Sequence, residues 1–180
     1  CGTPLSNFEI AMDNSYQEVT DVANTYKYPL TDSPNTFLLA WSTTPWNKLA
    51  TPALAVNPDL SYVKVKQGNE FYILAKSRLE MLTEEPYEIV EEMSGQDLVG
   101  LSFIGHYDFY PSVPGKKFLV IPGDFVTADS GTGIVTLAVY GEDDYQVMRE
   151  HGIQLIEHVD EEGRLKPEVT PWAGQSILEV

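Results

Sequence analysis

A single cysteine stands among the 180 residues, at position 1. No internal disulfide can form. Nor does Cys1 have partners at zinc-ligand spacing, since the three histidines are scattered at His106, His151 and His158. A reducing compartment, the cytoplasm, is the expectation. Basic residues are scarce as well: 11 Lys and Arg face 27 Asp and Glu, for a net charge of −16, and Lys116–Lys117 is the only adjacent basic pair. An acidic surface repels a phosphate backbone, which excludes a free-standing nucleic-acid binder. If the chain meets RNA, another part of a larger protein must supply most of the binding. No apolar run approaches the ~20 residues of a membrane helix. The longest, Thr36–Trp41 and Gly133–Tyr140, are strand-sized, so no membrane partner is expected. There is no Walker loop and no visible Ser-His-Asp arrangement, and Gly131-Thr-Gly133 is too short for a dinucleotide fingerprint. The acidic turn Asp160–Glu162 lacks the alternating oxygen ligands of a calcium loop, so no metal is expected there. The chain opens at Cys1 with neither a Met nor a charged-then-apolar leader. It reads as a fragment of something longer.

What is present points to a β-rich domain. A hydrophobic fraction of 43% and a charged fraction of 21% suit one domain of ordinary size with its own core. The dominant period is two. Tyr62-Val-Lys-Val-Lys66 alternates, Gly68-Asn69 turns the chain, and Glu70–Ala75 returns, which predicts a hairpin. Further short β-rich runs are Thr25–Leu30, Thr36–Ser42, Ala53–Val56, Tyr87–Glu92, Lys117–Pro122 and Gly133–Tyr140, with Pro and Gly breakers between them. Helices are predicted over Lys76–Glu84, before Pro86, and over Asp144–His151, which opens after an acidic cluster and closes at Gly152. Many short strands and few helices give a mostly β, α+β fold: a closed or nearly closed β-barrel with peripheral helices.

Two stretches carry possible chemistry. In Trp41-Ser-Thr-Thr-Pro-Trp46, three hydroxyls follow an apolar strand and stop at a proline. Pro45 ends strand pairing and holds Thr44 extended. The stretch is either a capped strand end with core tryptophans or a site where short, stiff hydroxyls hold a sugar or a water. In the second, Gly131-Thr-Gly133 feeds a buried strand, and Gly141-Glu-Asp-Asp144 then feeds a helix. Gly131 and Gly133 would let a ligand approach the backbone closely. Asp144 either caps its helix or presents a carboxylate to a cationic ammonium group. His106, among aromatics, reads as a packed loop residue, and His151 as a cation suited to a helix C-terminus.

In order along the chain, Cys1-Gly-Thr-Pro-Leu-Ser6, Trp41–Trp46, Ala53-Leu-Ala-Val-Asn-Pro-Asp59, Gly123-Asp-Phe-Val-Thr127, Gly131-Thr-Gly-Ile-Val135 with Gly141-Glu-Asp-Asp-Tyr145, Val159-Asp-Glu-Glu-Gly163 and Pro171-Trp-Ala-Gly174 together resemble the editing domain inserted in class I aminoacyl-tRNA synthetases. The resemblance covers nearly all of the chain. Thr43-Thr44-Pro45-Trp46 is similar to the isoleucyl type, because the valyl and leucyl relatives carry an arginine after the paired threonines. What the resemblance implies is one editing domain, residues 1–180, set in a larger synthetase. It would hydrolyse the ester of Val-tRNA(Ile), and valyl-adenylate as well, with no cofactor of its own, while the full-length enzyme would use ATP and Mg. Its partners would be the aminoacylated 3′ end of tRNA(Ile) and the rest of the synthetase in cis, in a cytoplasmic monomer.

By the same resemblance, Asp144 pairs with the substrate's α-ammonium, and Thr43 and Thr44 hold the ribose hydroxyls and a water. Trp41, Ser42, Gly133, Thr136 and Thr51 line the substrate. The chain departs from the family pattern at several of these. Thr136-Leu-Ala-Val139 replaces His-x-Ala-Pro, and the stretch before Gly141 is one residue shorter. That histidine is associated with rejecting the cognate amino acid, so Thr136 implies altered selectivity. Ser42 stands for the first threonine, Thr51 for an asparagine, and Asn47-Lys48-Leu49 for Thr-Leu-Pro. A degenerate editing domain, kept as a structural and tRNA-contacting module, is the alternative these departures raise. An unrelated acidic β-module for protein interaction is a third.

Overall fold

The computed structural model describes residues 4, 6–10, 12, 22–83 and 85–180. Most of the entry motif Cys1–Ser6 lies outside them, as does Glu84 at the end of the first predicted helix. Eight strands form one sheet: β1 (Asn24–Pro29), β2 (Thr36–Ser42), β3 (Ala53–Val56), β4 (Ser61–Gln67), β5 (Glu70–Ala75), β6 (Tyr87–Ser94), β7 (Leu119–Pro122) and β8 (Ile134–Thr136). The α-helices are short: α1 (Asn7–Ile10), α2 (Gly95–Leu98) and α3 (Glu142–Glu150). Two 3₁₀ segments, Pro45–Ala50 and Lys76–Met81, complete the set.

The strand order is β6-β4-β5-β2-β8-β3-β7, with β1 paired to β2. Strand β2 has β1 antiparallel along one edge, while its other edge is shared by β5 at Thr36–Leu38 and β8 at Trp41. The sheet therefore divides at β2 and curls, because one strand serves two neighbours on the same side. No ladder joins β6 to β7 among the described residues. The fold is mostly β with peripheral helices, but the barrel is a curled half-barrel rather than a closed one.

Strand β3 shows where the core sits. All four of its residues are buried, and their alternation sends them to two sides of the sheet. Leu54 and Val56 join Leu38, Tyr62, Ile73, Val120 and Ile134 inside the curl. Ala53 and Ala55 face outward and meet Ile121, Leu137 and Met148. Met148 is the buried residue of α3, so this second cluster docks the helix onto the sheet. A fully buried side chain of this kind contributes roughly 1.5–3 kcal/mol. The docking also sets the helix rotation. Asp144 lies four residues before Met148 and hence on the same, inward face.

The hairpin β4–β5 has the expected register, Tyr62 opposite Ala75 through Gln67 opposite Glu70, and Gly68 takes φ +60° at its turn. The segment predicted as a helix over 76–84 is instead a 3₁₀ segment broken at Arg78. The physical reason is a competing bond: Arg78 Nε donates to the Gly131 carbonyl at 2.8 Å, tying this segment to the turn before β8. At α2 the Asp97 carboxylate accepts both the amide and the hydroxyl of Ser94, a capping arrangement that fixes so short a helix.

Candidate functional site

The parallel pairing of β2 with β8, in register at Trp41 and Val135, sends both strands out of the sheet at the same end. The first carries Ser42-Thr43-Thr44 beyond its last pair. The second carries Thr136-Leu137-Ala138. Strand β3 flanks β8 on the other side, with Leu54 opposite Thr136, and Leu137 adds a bond to the Ala53 carbonyl. The strand predicted over 133–140 stops at Thr136 for a visible reason. The Ala138 amide donates to Asp144 Oδ2 at 3.1 Å instead of continuing the ladder. Thus the carboxylate at the start of α3 is held against the loop that leaves β8, at the end of the sheet where β2 also exits.

The hydroxyl turn is a compact local network. Ser42 Oγ accepts the Thr44 amide at 3.1 Å and lies 3.3 Å from Thr44 Oγ1. Asn47 Nδ2 donates to Thr44 Oγ1 at 2.7 Å, and the Asn47 amide bonds the Thr44 carbonyl. The Thr51 hydroxyl donates to the Asn47 carbonyl at 2.9 Å. Ser42, Asn47 and Thr51 are buried, Thr44 is half-buried, and Thr43 is exposed. Thr43 is therefore the solvent-exposed hydroxyl residue of the turn.

Asp144 is half-buried while its neighbours Glu142 and Asp143 are exposed. Burial pushes the Asp144 carboxyl above the usual range; the Ala138 amide pulls it down, and the nearby Asp143 charge pushes it up. A carboxylate short of solvation favours a cationic partner. Trp41 lies against Gly131: a Cβ there would come within 2.8 Å of the indole ring, and the turn holds φ +63°.

Two expected substrate contacts are taken up by the fold. Gly133 is buried with φ +75°, and a Cβ would meet that of Ala75 at 2.4 Å. Its carbonyl accepts the Tyr62 hydroxyl at 2.7 Å. What approaches Gly133 so closely is the Ala75 methyl of β5. Thr51 is buried, with its hydroxyl bonded to Asn47. His106 stacks edge-on against Tyr28 at 4.5 Å, as the packed residue expected from its aromatic neighbours. Among the described residues, no group of three or more His, Cys, Asp or Glu can hold a metal ion, and no helix is long and apolar enough to cross a membrane.

A groove of about 320 Å³ adjoins the hydroxyl turn, walled by Pro45, Trp46, Tyr26, Tyr107 and Trp172, with Lys48 at its side. A cleft of about 370 Å³ lies beside α3, lined by Phe125, Asp143, Glu150 and His151. Neither is lined by Asp144, Thr43 or Thr44; what relates the carboxylate to the threonine pair is the parallel pairing of β2 with β8.

No family model matches the chain. The isoleucine–tRNA ligase of Clostridium tetani is 40% identical over 98% of the chain, and that of Bacillus thuringiensis (strain Al Hakam) is 43% identical over 98%. A probable cytoplasmic isoleucine–tRNA ligase of Dictyostelium discoideum is 37% identical, again over 98%. The chain is thus similar along nearly its whole length to a segment of isoleucine–tRNA ligases. It spans only 17%, 17% and 18% of those three relatives. The fold of the chain is that of synthetase editing domains. The crystal structure of GlLeuRS-CP1 aligns with TM-score 0.67 at 16% identity, covering 88% of this chain and 92% of that one. The Plasmodium knowlesi cytosolic leucyl-tRNA synthetase editing domain aligns with TM-score 0.57 at 18% identity, covering 71% and 62%.

Three residues of the chain escaped the sequence reading. Asn47 is signalled only by its spacing of three from Thr44. Tyr140 and His158 are far apart in sequence and paired in space, which no local pattern announces.

Proposed function

We propose that this segment is the hydrolytic editing domain of an isoleucine–tRNA ligase, set within the larger enzyme, and that it clears the ester of Val-tRNA(Ile). The observation that carries the reading is the half-buried Asp144 carboxylate, bonded to the Ala138 amide in the loop that leaves β8, the strand paired in parallel with the one that ends in Ser42-Thr43-Thr44, on a chain 40% identical to an isoleucine–tRNA ligase. A pocket built for isoleucine cannot shut out valine, one methylene smaller; this enzyme is itself the standing illustration of that limit. A second, hydrolytic sieve answers it.

The aminoacylated 3′-terminal adenosine enters from the host enzyme, which supplies the cationic surface that this acidic segment lacks. Asp144 accepts the α-ammonium, and that pairing fixes the ester carbonyl for attack by water. Thr43 and Thr44 hold the ribose hydroxyls and the water, Ser42 and Trp41 shape the pocket, and Trp46 offers a face for the base. No covalent nucleophile and no cofactor is required in this step. ATP and Mg belong to the host's aminoacylation chemistry, in the cytoplasm. Thr136, half-buried at the end of β8, is smaller than the histidine of the family pattern, so selectivity against the isoleucyl ester is weaker.

The test uses the full-length synthetase with matched Val-tRNA(Ile) and Ile-tRNA(Ile). Deacylation of the valyl ester is expected, with measurable loss of the isoleucyl ester. Asp144→Ala is expected to slow valyl hydrolysis by about 10²-fold or more. An Asp144→Ala enzyme that clears Val-tRNA(Ile) at the wild-type rate refutes the assignment.

A further inference from the structure

We infer that the Tyr140–His158 pair is a positioning device for the hydrolytic site, fixing the turn that bears Asp144 against the turn that bears Thr43 and Thr44. The inference rests on the hydrolytic reading above. Its motive is a buried histidine that pairs with Tyr140, just before the α3 turn, and lies by the backbone of Trp46, just after the hydroxyl turn.

His158 is 1% exposed. Burial pushes its pKa down to about 4; the Trp46 backbone works the other way, and the Lys166 charge adds to the lowering. The ring is therefore neutral at physiological pH, with one nitrogen accepting and one donating. The hydrogen-bond network assigns which is which. Tyr140 Oη accepts the Val159 amide at 2.9 Å, so its own proton is free for His158 Nδ1 at 3.3 Å. Nε2 then carries the ring proton. It lies by the Trp46 backbone without a hydrogen bond of good geometry. An apolar side chain would fill this space without the cost of a buried polar atom left short of a partner. Retaining an imidazole here is explained by what it joins.

On one side it joins Tyr140, which immediately precedes Gly141, the N-cap of α3. The loop from Thr136 to Gly141 is thus pinned twice, by Asp144 at Ala138 and by His158 and Val159 at Tyr140. On the other side it meets Trp46, two residues beyond Thr44 in the 3₁₀ segment that closes the hydroxyl turn. Releasing the pair frees the loop to shift relative to the threonines, and a shift of about 1 Å at a hydrolytic site costs on the order of 10²-fold in rate.

The test is made in the full-length synthetase. Tyr140 is 48% exposed, so Tyr140→Phe removes the hydroxyl and leaves the packing. The expected result is a fall of about tenfold or more in kcat for Val-tRNA(Ile) hydrolysis, with KM and the unfolding temperature unchanged. His158→Asn, which restores an acceptor near Nδ1, is expected to keep most of the rate, while His158→Leu does not. Wild-type kcat in Tyr140→Phe overturns the proposal, as does a fall in kcat that tracks loss of stability across the variants. If the wild-type enzyme hydrolyses no aminoacyl ester, the hydrolytic reading itself fails and this proposal falls with it; wild-type hydrolysis with an indifferent Tyr140→Phe defeats the proposal alone.

Discussion

The hydroxyl turn and the loop from β8 to α3 meet at one end of the sheet, but they are held in opposite ways. In the turn, Ser42, Thr44, Asn47 and Thr51 bond one another within ten residues of chain. The loop instead depends on partners far away in sequence. Gly133 packs on Ala75 and accepts from Tyr62, and Tyr140 reaches His158 and Val159. A local network carries its geometry wherever the chain goes. A network of distant contacts exists only once the whole fold has closed, so a change to its buried packing, unlike the loss of one half-exposed hydroxyl, is felt globally.

The sharpest way to break this contrast is Gly133→Ala. A side chain there combines a left-handed backbone, about 1–2 kcal/mol, with overpacking against Ala75, about 1–3 kcal/mol. A global loss of about 4 kcal/mol is expected in denaturant unfolding; a loss under about 1 kcal/mol would show that β5 and β8 separate easily.

Acid comes next. His158 has a folded pKa of about 4, below the ordinary 6.5, so its neutral form favours the fold. Its contribution is complete above pH 6.5 and is lost as pH falls toward 4, up to roughly 3 kcal/mol. Asp144 runs the other way. Its raised pKa means that ionisation costs stability as pH rises through it, which offsets part of the acid loss. The difference between wild type and His158→Gln isolates the histidine. Stability curves of equal slope between pH 6.5 and 4 would contradict a buried neutral ring.

The smallest effect belongs to the turn. Asn47→Ala removes the bond to Thr44 Oγ1 and is expected to cost about 1–2 kcal/mol. Amide exchange should quicken over 44–51 while Ala138 and Val159 keep their protection. Uniform loss of protection would erase the distinction between the two regions.

The same distinction explains what the amino-acid sequence made legible. Thr36–Ser42, Ala53–Val56 and Glu70–Ala75 were readable as strands because each is a short, mostly apolar run buried along most of its length. The turn at Gly68-Asn69 was readable because only its glycine takes φ +60° easily. Asp144 and the threonines were readable as candidates, since their residue types lie in compact motifs. The end of β8 at Thr136, rather than at Tyr140, was hidden because an amide six residues from Asp144 chooses a side chain over the ladder. The 3₁₀ nature of Lys76–Met81 was hidden because Arg78 is drawn to Gly131, more than fifty residues on. The packing of Gly133 was hidden for a related reason: its close neighbour is Ala75, which no local pattern reveals.

Strand β6 lies at the rim of the sheet, bonded on one side only, and seven of its eight residues are exposed. Such a rim invites another copy to zip alongside. Here Glu88, Glu91 and Glu92 interrupt Tyr87, Ile89 and Val90, so two copies laid rim to rim would crowd carboxylates together. The glutamates act as fenders, keeping molecules apart at a long edge where β-structure could otherwise spread.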